Sequence, residues 1–226
     1  MSIAEKITRI KESLPEGVTL VAVSKTHPAE AVREAYDAGQ RIFGENRPQE
    51  MRDKHAQLPD DIQWHLIGHL QTNKIKYIIG FVSMIHSVDS ASLLRALDAQ
   101  AAKHSRTVDV LLEIHVSSES SKEGWLYDEL TSWLREGEWK NLHSIVFRGV
   151  MGVATNTDDR SVIREEFSRL KEMKDALAAE FFTERFDTVS MGMTADYADA
   201  IECGSNMVRI GSMIFGERDY SSAPKL

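Results

Sequence analysis

Eight short apolar runs recur along the chain, each separated from the next by a stretch with helical spacing, and no other feature restricts the possible folds so tightly. The runs fall at 19–25, 41–44, 63–67, 83–88, 108–116, 145–153, 187–191 and 207–210. The first of them, Leu20-Val21-Ala22-Val23, shows no polar alternation, as expected of a strand buried on both faces. Ahead of it, Ile3, Ile7, Ile10 and Leu14 mark an amphipathic helix that Pro15 and Gly17 stop. Pro28 and Gly39 bracket a second helix with Ala31, Val32, Ala35 and Ala38 as its apolar stripe. Pro48 suits the first turn of a third. Helical stretches at 70–79, 93–101, 125–134, 163–177 and 197–201 supply the other connections, with Glu165 and Arg169 spaced as an ion pair.

Strands that alternate with helices build a parallel sheet. Eight such units in 226 residues fit a single (β/α)8 TIM barrel of the α/β class, which typically takes roughly 200 to over 400 residues. We expect one domain over residues 1–226. The rival, a doubly wound open sheet, is disfavoured because eight units are present and no Gly-x-Gly-x-x-Gly follows the first strand.

Composition narrows the function. The net charge of −8 argues against binding nucleic acid through bulk charge. Cys203 is the one cysteine, so no internal disulfide and no cysteine zinc cluster are possible. His65, His69, His86 and His115 lie on separate elements without a His-Glu-x-x-His spacing, so we expect polar packing and no metal. The first residues lack an apolar signal core, and the longest apolar stretch, 77–85, is too short to span a bilayer. A cytoplasmic protein without a membrane partner is the expectation.

Barrels carry their chemistry at the carboxyl ends of the strands. In this chain those ends present Ser24-Lys25-Thr26, Glu45-Asn46-Arg47, Gly68-His69, His86-Ser87-Val88-Asp89, His115, Met151, Ser190-Met191-Gly192-Met193-Thr194 and Arg209-Ile210-Gly211-Ser212. The last two segments stand where many barrels bind phosphate. Gly192 and Gly211 allow backbone N–H groups near an anion, and Ser190, Thr194 and Ser212 add hydroxyls; equally, each loop alone reads as a tight turn. Lys25 ends an apolar strand at the barrel mouth. From position alone, a salt bridge to Glu45 and a Schiff-base amine stand level, the second favoured by burial and a nearby cation such as Arg209. A Schiff-base lysine beside a phosphate site suggests pyridoxal 5′-phosphate (PLP). Arg209, a permanent donor, would keep a pyridine nitrogen unprotonated; an ion pair is its competing role. Met151, Met191 and Met193 are as consistent with core filling as with walling a ring. Cys203 reads as a small buried residue at a helix end, and Asp158-Asp159-Arg160 as a helix start.

Six segments in order resemble the YggS/PROSC family of PLP homeostasis proteins. They are Val21-Ala22-Val23-Ser24-Lys25-Thr26, Phe43-Gly44-Glu45-Asn46, Trp64-His65-Leu66-Ile67-Gly68-His69-Leu70-Gln71-Thr72-Asn73-Lys74, Gly149-Val150-Met151-Gly152, Ser190-Met191-Gly192-Met193-Thr194 and Val208-Arg209-Ile210-Gly211-Ser212. The resemblance spans nearly the whole chain. It implies a barrel like the N-terminal domain of alanine racemase, with PLP as an imine on Lys25. It implies phosphate contacts from Thr194, Gly211 and Ser212, with Arg209 at the ring nitrogen, Asn46 near the cofactor and Ser190 assisting the phosphate loop. It further implies a carrier or regulator of intracellular PLP with no established catalytic reaction; PLP-dependent apoenzymes are the partners to consider, and a monomer is expected because the enzymes that dimerise through the extra β-domain use surface absent here.

The sequence departs from the family at Thr194, where serine is usual, and at His115, where asparagine is usual, while 118–124 keeps the family loop's Glu119, Lys122 and Gly124. The alternative is a weak PLP-dependent racemase or lyase. Arg209 argues against a strong electron sink, and a chain ending at Leu226 leaves no expected room for the β-domain that supplies the racemases' second base. A sugar-phosphate isomerase would need a carboxylate base after strand six, which 151–156 does not contain. A PLP-free Schiff-base aldolase would be colourless. If Lys25 is not the anchor, Lys74 or Lys122 is.

Overall fold

Thr19–Val23 (β1) is hydrogen-bonded in parallel to strands on both its sides, and one of them is the last strand of the chain. The computed structural model describes residues 1–119, 123–182 and 184–216. After β1 come β2 (Ile42–Glu45), β3 (Gln63–Leu66), β4 (Met84–Val88), β5 (Val108–Glu113), β6 (Ile145–Met151), β7 (Thr188–Met193) and β8 (Met207–Ile210). They form a closed barrel in sequence order, all parallel. The helices are α1 (Ile3–Ser13), α2 (Ala29–Asp37), α3 (Pro48–His55), α4 (Ala91–Lys103), α5 (Tyr127–Glu136), α6 (Arg160–Glu180), α7 (Tyr197–Glu202) and α8 (Ser212–Phe215). Ser2 and Glu5 close a capping box on α1, and Asp159 caps α6 through the Ser161 N–H. None of the described helices is long and apolar enough to cross a membrane.

Two buried clusters arise from the two-residue period of a strand. Outward residues such as Ala22, Phe43, Trp64, Ile85, Leu112, Val150, Met191 and Val208 pack under the helices. Inward residues Val21, Met84, Leu111, Met151 and Met207 make a separate apolar layer inside the barrel. Two residues further along their strands, β4, β5 and β8 carry His86, Glu113 and Arg209, all buried. An apolar floor therefore lies under a polar layer at the carboxyl end.

Three register shifts shape that end. They fall between Ile85 and Val88 in β4, between Phe147 and Gly149 in β6, and between Ser190 and Met193 in β7. Each inserts one extra residue and re-aims the side chains beyond it. Gly149 adopts φ +152°, and a Cβ there would run into the Thr188 carbonyl of β7.

Several elements differ from the sequence expectation. The helix expected over 70–79 is a short 3-10 turn, Thr72–Tyr77. Three-residue winding stacks Ile75 above Ile78, and both are fully buried. The run 108–116 stops as a strand at Glu113, because Ile114 bridges Trp125 and the His115 N–H donates to the Trp125 carbonyl. Trp125 thus belongs to that bridge, and α5 begins at Tyr127. Arg169, expected to meet Glu165, donates to the Val116 carbonyl.

Replacing Gly149 with Ala is expected to cost about 3 kcal/mol or more, because both the positive φ and the Thr188 carbonyl oppose a side chain. A urea midpoint unchanged from wild type would contradict the strain assigned to this bulge.

Candidate functional site

Lys25 stands one residue past Ser24 in a tight turn, where the His27 N–H donates to the Ser24 carbonyl at 3.1 Å. Thr26 in that turn has φ +68°, uncommon for a side chain with a branched β-carbon. The turn is held from behind. The Thr26 N–H donates to Glu50 Oε1 at 2.6 Å, and Lys54 Nζ donates to the Ser24 carbonyl, Glu45 Oε1 and Glu50 Oε1 at 2.7, 2.6 and 2.8 Å. Ser24 Oγ adds a bond to Glu45 Oε1 at 2.6 Å. The lysine seated on Glu45 is Lys54 of α3. Burial pushes the Glu45 carboxyl upward against the pull of Lys54. Lys25 itself is half-buried.

Closure of the barrel brings the other candidates to this turn. In the β1–β8 register Val21 faces Arg209 and Ala22 faces Ile210. Gly211 comes next, and a Cβ on it would stand 3.1 Å from the Val23 carbonyl. The Gly211 N–H points at Thr194 Oγ1 at 3.4 Å, so the loops after β7 and β8 touch. Ser212 opens α8 and is exposed, and no side chain caps that first turn. Gly192, at φ +93°, packs against Tyr197 and Ala200 of α7. Asn46 follows β2, with Gly68 directly against its backbone. Its buried Oδ1 has no hydrogen-bond partner among the described residues.

Arg209 is 4% exposed. Its Nη1 donates to the Ser190 carbonyl and to Ser190 Oγ, both at 2.7 Å, and its Nη2 to the Gly152 carbonyl at 3.0 Å. Burial lowers it to about 10, with Glu113 and Asp196 acting the other way, so it stays cationic at neutral pH. Ser190, expected near the phosphate loop, is fully buried between Arg209 and His86, whose Nδ1 lies 3.0 Å from its Oγ. His86 Nε2 lies 2.9 Å from His65 Nδ1. Burial pushes His65 down to about 3; burial, His65 and Arg209 hold His86 well below its usual value. Both rings are neutral.

Glu113 of β5 completes the polar layer. It lines a cavity of about 430 Å³ with His115, Val116, Glu119, Glu123 and Val153. Burial, then Glu123, push its carboxyl up to about 8, and Arg209 pulls the other way. Sequence reading missed Lys54, Glu113 and the link between the two histidines. A signal existed in the strands that read Met84-x-His86, Leu111-x-Glu113 and Met207-x-Arg209, each with a polar residue two beyond an inward apolar one.

The remaining candidates lie apart. Met151 floors the barrel, Met191 is in the outer core and Met193 is exposed. His69 pairs with Asp89 at 3.2 Å. Cys203 is half-buried at the end of α7, its Sγ toward the Arg164 carbonyl. Lys74 sits half-buried in the 3-10 turn after β3. Ser120, Ser121 and Lys122 lie outside the described residues.

Replacing Glu113 with Gln tests the raised carboxyl. Between its ordinary 4.5 and about 8, the folded chain holds a proton that the unfolded chain has lost, so wild-type stability falls as pH rises through that window. The Gln variant lacks this loss. Its stability advantage is expected to grow from pH 4.5 to 8 and then level, reaching a few kcal/mol at about 1.4 kcal/mol per pKa unit. Urea unfolding at several pH values measures it, and a pH-independent gap would contradict the assignment.

The sequence profile described as alanine racemase, N-terminal domain, matches residues 1–219. The pyridoxal phosphate homeostasis protein of Pasteurella multocida is 36% identical over 234 residues, covering 98% of this chain and 100% of that protein. Its counterpart from Vibrio alginolyticus is 40% identical over 212 residues, covering 92% and 89%. Among solved structures, PipY of Synechococcus elongatus is 36% identical and covers 95% of this chain and 100% of its own. Its TM-score is 0.90 without PLP and 0.88 with PLP bound. Alanine racemase from E. faecalis, at 17% identity, shares the fold with a TM-score of 0.76 over 97% of this chain and 59% of its own. The chain belongs to the family of pyridoxal phosphate homeostasis proteins, on the barrel that alanine racemase uses as its N-terminal domain.

Proposed function

We propose that this protein binds PLP at the carboxyl-terminal mouth of the barrel, with Lys25 as the point of attachment, and serves intracellular PLP homeostasis as a carrier. When bound, PLP supplies an aldehyde that condenses with a primary amine and a phosphate that carries negative charge. The observation that carries the reading is the closure of β1 on β8. It sets the Lys25 turn against Gly211, with a buried arginine two residues earlier on the same strand.

The residues fit the group. Lys25 offers the amine from a turn that Lys54 and Glu50 hold from behind. The Thr194 hydroxyl, which accepts from the Gly211 N–H and keeps its own hydrogen, and the uncapped first turn of α8 at Ser212 offer donors for the phosphate where two loops meet. Asn46 has a buried amide oxygen in want of a partner, beside the same mouth. Arg209 has five N–H groups, of which its bonds to Ser190 and Gly152 use three, so donors remain for a ring nitrogen. A guanidinium gives up no proton near neutral pH, so it holds that nitrogen as an acceptor and weakens the ring as an electron sink. This favours holding PLP over racemase or lyase chemistry. In our reading PLP-dependent apoenzymes are the recipients, and the carrier works as a monomer.

Wild-type protein loaded with PLP is expected to keep its yellow colour through gel filtration. The Lys25→Ala variant should lose it while its folding stability stays within about 0.5 kcal/mol of wild type. A variant that keeps the colour would move the attachment to Lys74 or Lys122, and a wild type that takes up no PLP would overturn the proposal.

A further inference from the structure

The hydrogen-bonded chain from Arg209 to His65 has a direction. A guanidinium only donates, so Ser190 Oγ accepts from Arg209 Nη1. Ser190 is fully buried, and its hydroxyl hydrogen needs an acceptor. His86 Nδ1 lies 3.0 Å away. With Nδ1 accepting, a neutral His86 carries its hydrogen on Nε2, which faces His65 Nδ1 at 2.9 Å. His65 then accepts on Nδ1 and carries its own hydrogen on Nε2. The order Arg209, Ser190, His86, His65 is donor to acceptor at every step. It crosses the barrel from β8 through β7 and β4 to β3, and each bond polarises the next.

Below this chain lies the apolar floor of Val21, Met84, Leu111, Met151 and Met207. Two imidazoles and a serine hydroxyl in that position do one thing an aliphatic layer would not: beside the Ser190 carbonyl they give the Nη1 edge of Arg209 a second acceptor, the Ser190 hydroxyl, whose orientation His86 sets. Gly152 fixes the Nη2 side through its carbonyl. The guanidinium plane is thereby set from both sides.

We propose that His86 and His65 are positioning residues for Arg209, acting through the Ser190 hydroxyl to set the donor that faces the PLP ring nitrogen. The inference rests on the reading of Arg209 as the ring-nitrogen contact. His86 has no exposed surface and is bonded on both ring nitrogens within the protein. Its effect reaches PLP by way of Ser190 and Arg209 alone.

The test is a double-mutant cycle read by PLP affinity and by the absorbance maximum of protein saturated with PLP. His86→Leu and Ser190→Ala should each weaken PLP binding roughly tenfold, a loss of about 1.4 kcal/mol, and displace the absorbance maximum in the same direction. In the Ser190→Ala background, His86→Leu should add nothing. His86→Asn, which can keep a polar atom near the Nδ1 position, should restore most of the wild-type spectrum. Additive losses, or a lowered melting temperature with an unmoved spectrum, would show His86 to be merely structural and overturn the inference. A second measurement needs neither PLP nor variants. Two-bond ¹H–¹⁵N spectra of the PLP-free protein should show both His65 and His86 as Nε2–H tautomers, and an Nδ1–H tautomer on either would overturn it. If the spectra agree but wild type takes up no PLP, the reading of the site fails, and the claim on the ring nitrogen falls with it.

Discussion

The parallel pairing of β1 with β8 is the contact on which the arrangement of this protein depends. Without it the sheet would be open, and Lys25 and Gly211 would sit at opposite edges. With it, Val21 lies beside Arg209, and the end of β1 lies against the glycine that starts the last loop. Residues from near the two ends of the chain meet at one spot. A barrel also removes the exposed edges that a parallel sheet would otherwise leave unpaired.

Two buried electrostatic assemblies flank that spot, on opposite sides of the barrel wall. Outside the wall, under α3, Lys54 joins the Ser24 carbonyl to Glu45 and Glu50. Inside it, Arg209 is joined to Ser190, Gly152 and the histidine pair. A buried charge is costly unless it is paired or hydrogen-bonded: Lys54 is paired with Glu45 and Glu50, and Arg209 is hydrogen-bonded to two carbonyls and a hydroxyl. The consequence for function is geometric. The backbone that carries Lys25 is held by the outer assembly, and the guanidinium by the inner one. Neither has to be ordered when a ligand arrives, which lowers the conformational cost of binding.

The barrel was legible in the sequence because its signal is repetitive. Eight apolar runs with helical connections leave few topologies, and the boundaries of β1, β2, β3 and β8 fall within two residues of the expected ones. The end of β5 was not legible, since the bridge from Ile114 to Trp125 depends on a loop returning eleven residues later. The nearness of the strand ends was also readable: Gly211 stands against the Val23 carbonyl of β1 and its N–H points at Thr194. What the sequence hid was side-chain pairing between distant strands. His65 and His86 look like two unrelated histidines until β3 and β4 lie side by side. Lys54 looks like a surface residue of a polar helix until α3 packs on β2. The bulges in β4 and β7 fall within 85–88 and 190–193, so simple alternation reaches His86 and Ser190 but cannot be carried past them. The close packing of Gly192 against Tyr197 and Ala200 of α7 was likewise hidden, since it depends on where that helix lies.

The central claim is the identity of the attachment residue, and mass spectrometry tests it most directly. Protein saturated with PLP would be reduced with borohydride, digested, and its peptides mapped. The predicted result is the pyridoxyl mass on the peptide that contains Lys25 and on no other. The same mass on a peptide containing Lys74 or Lys122, with the Lys25 peptide unmodified, would contradict it.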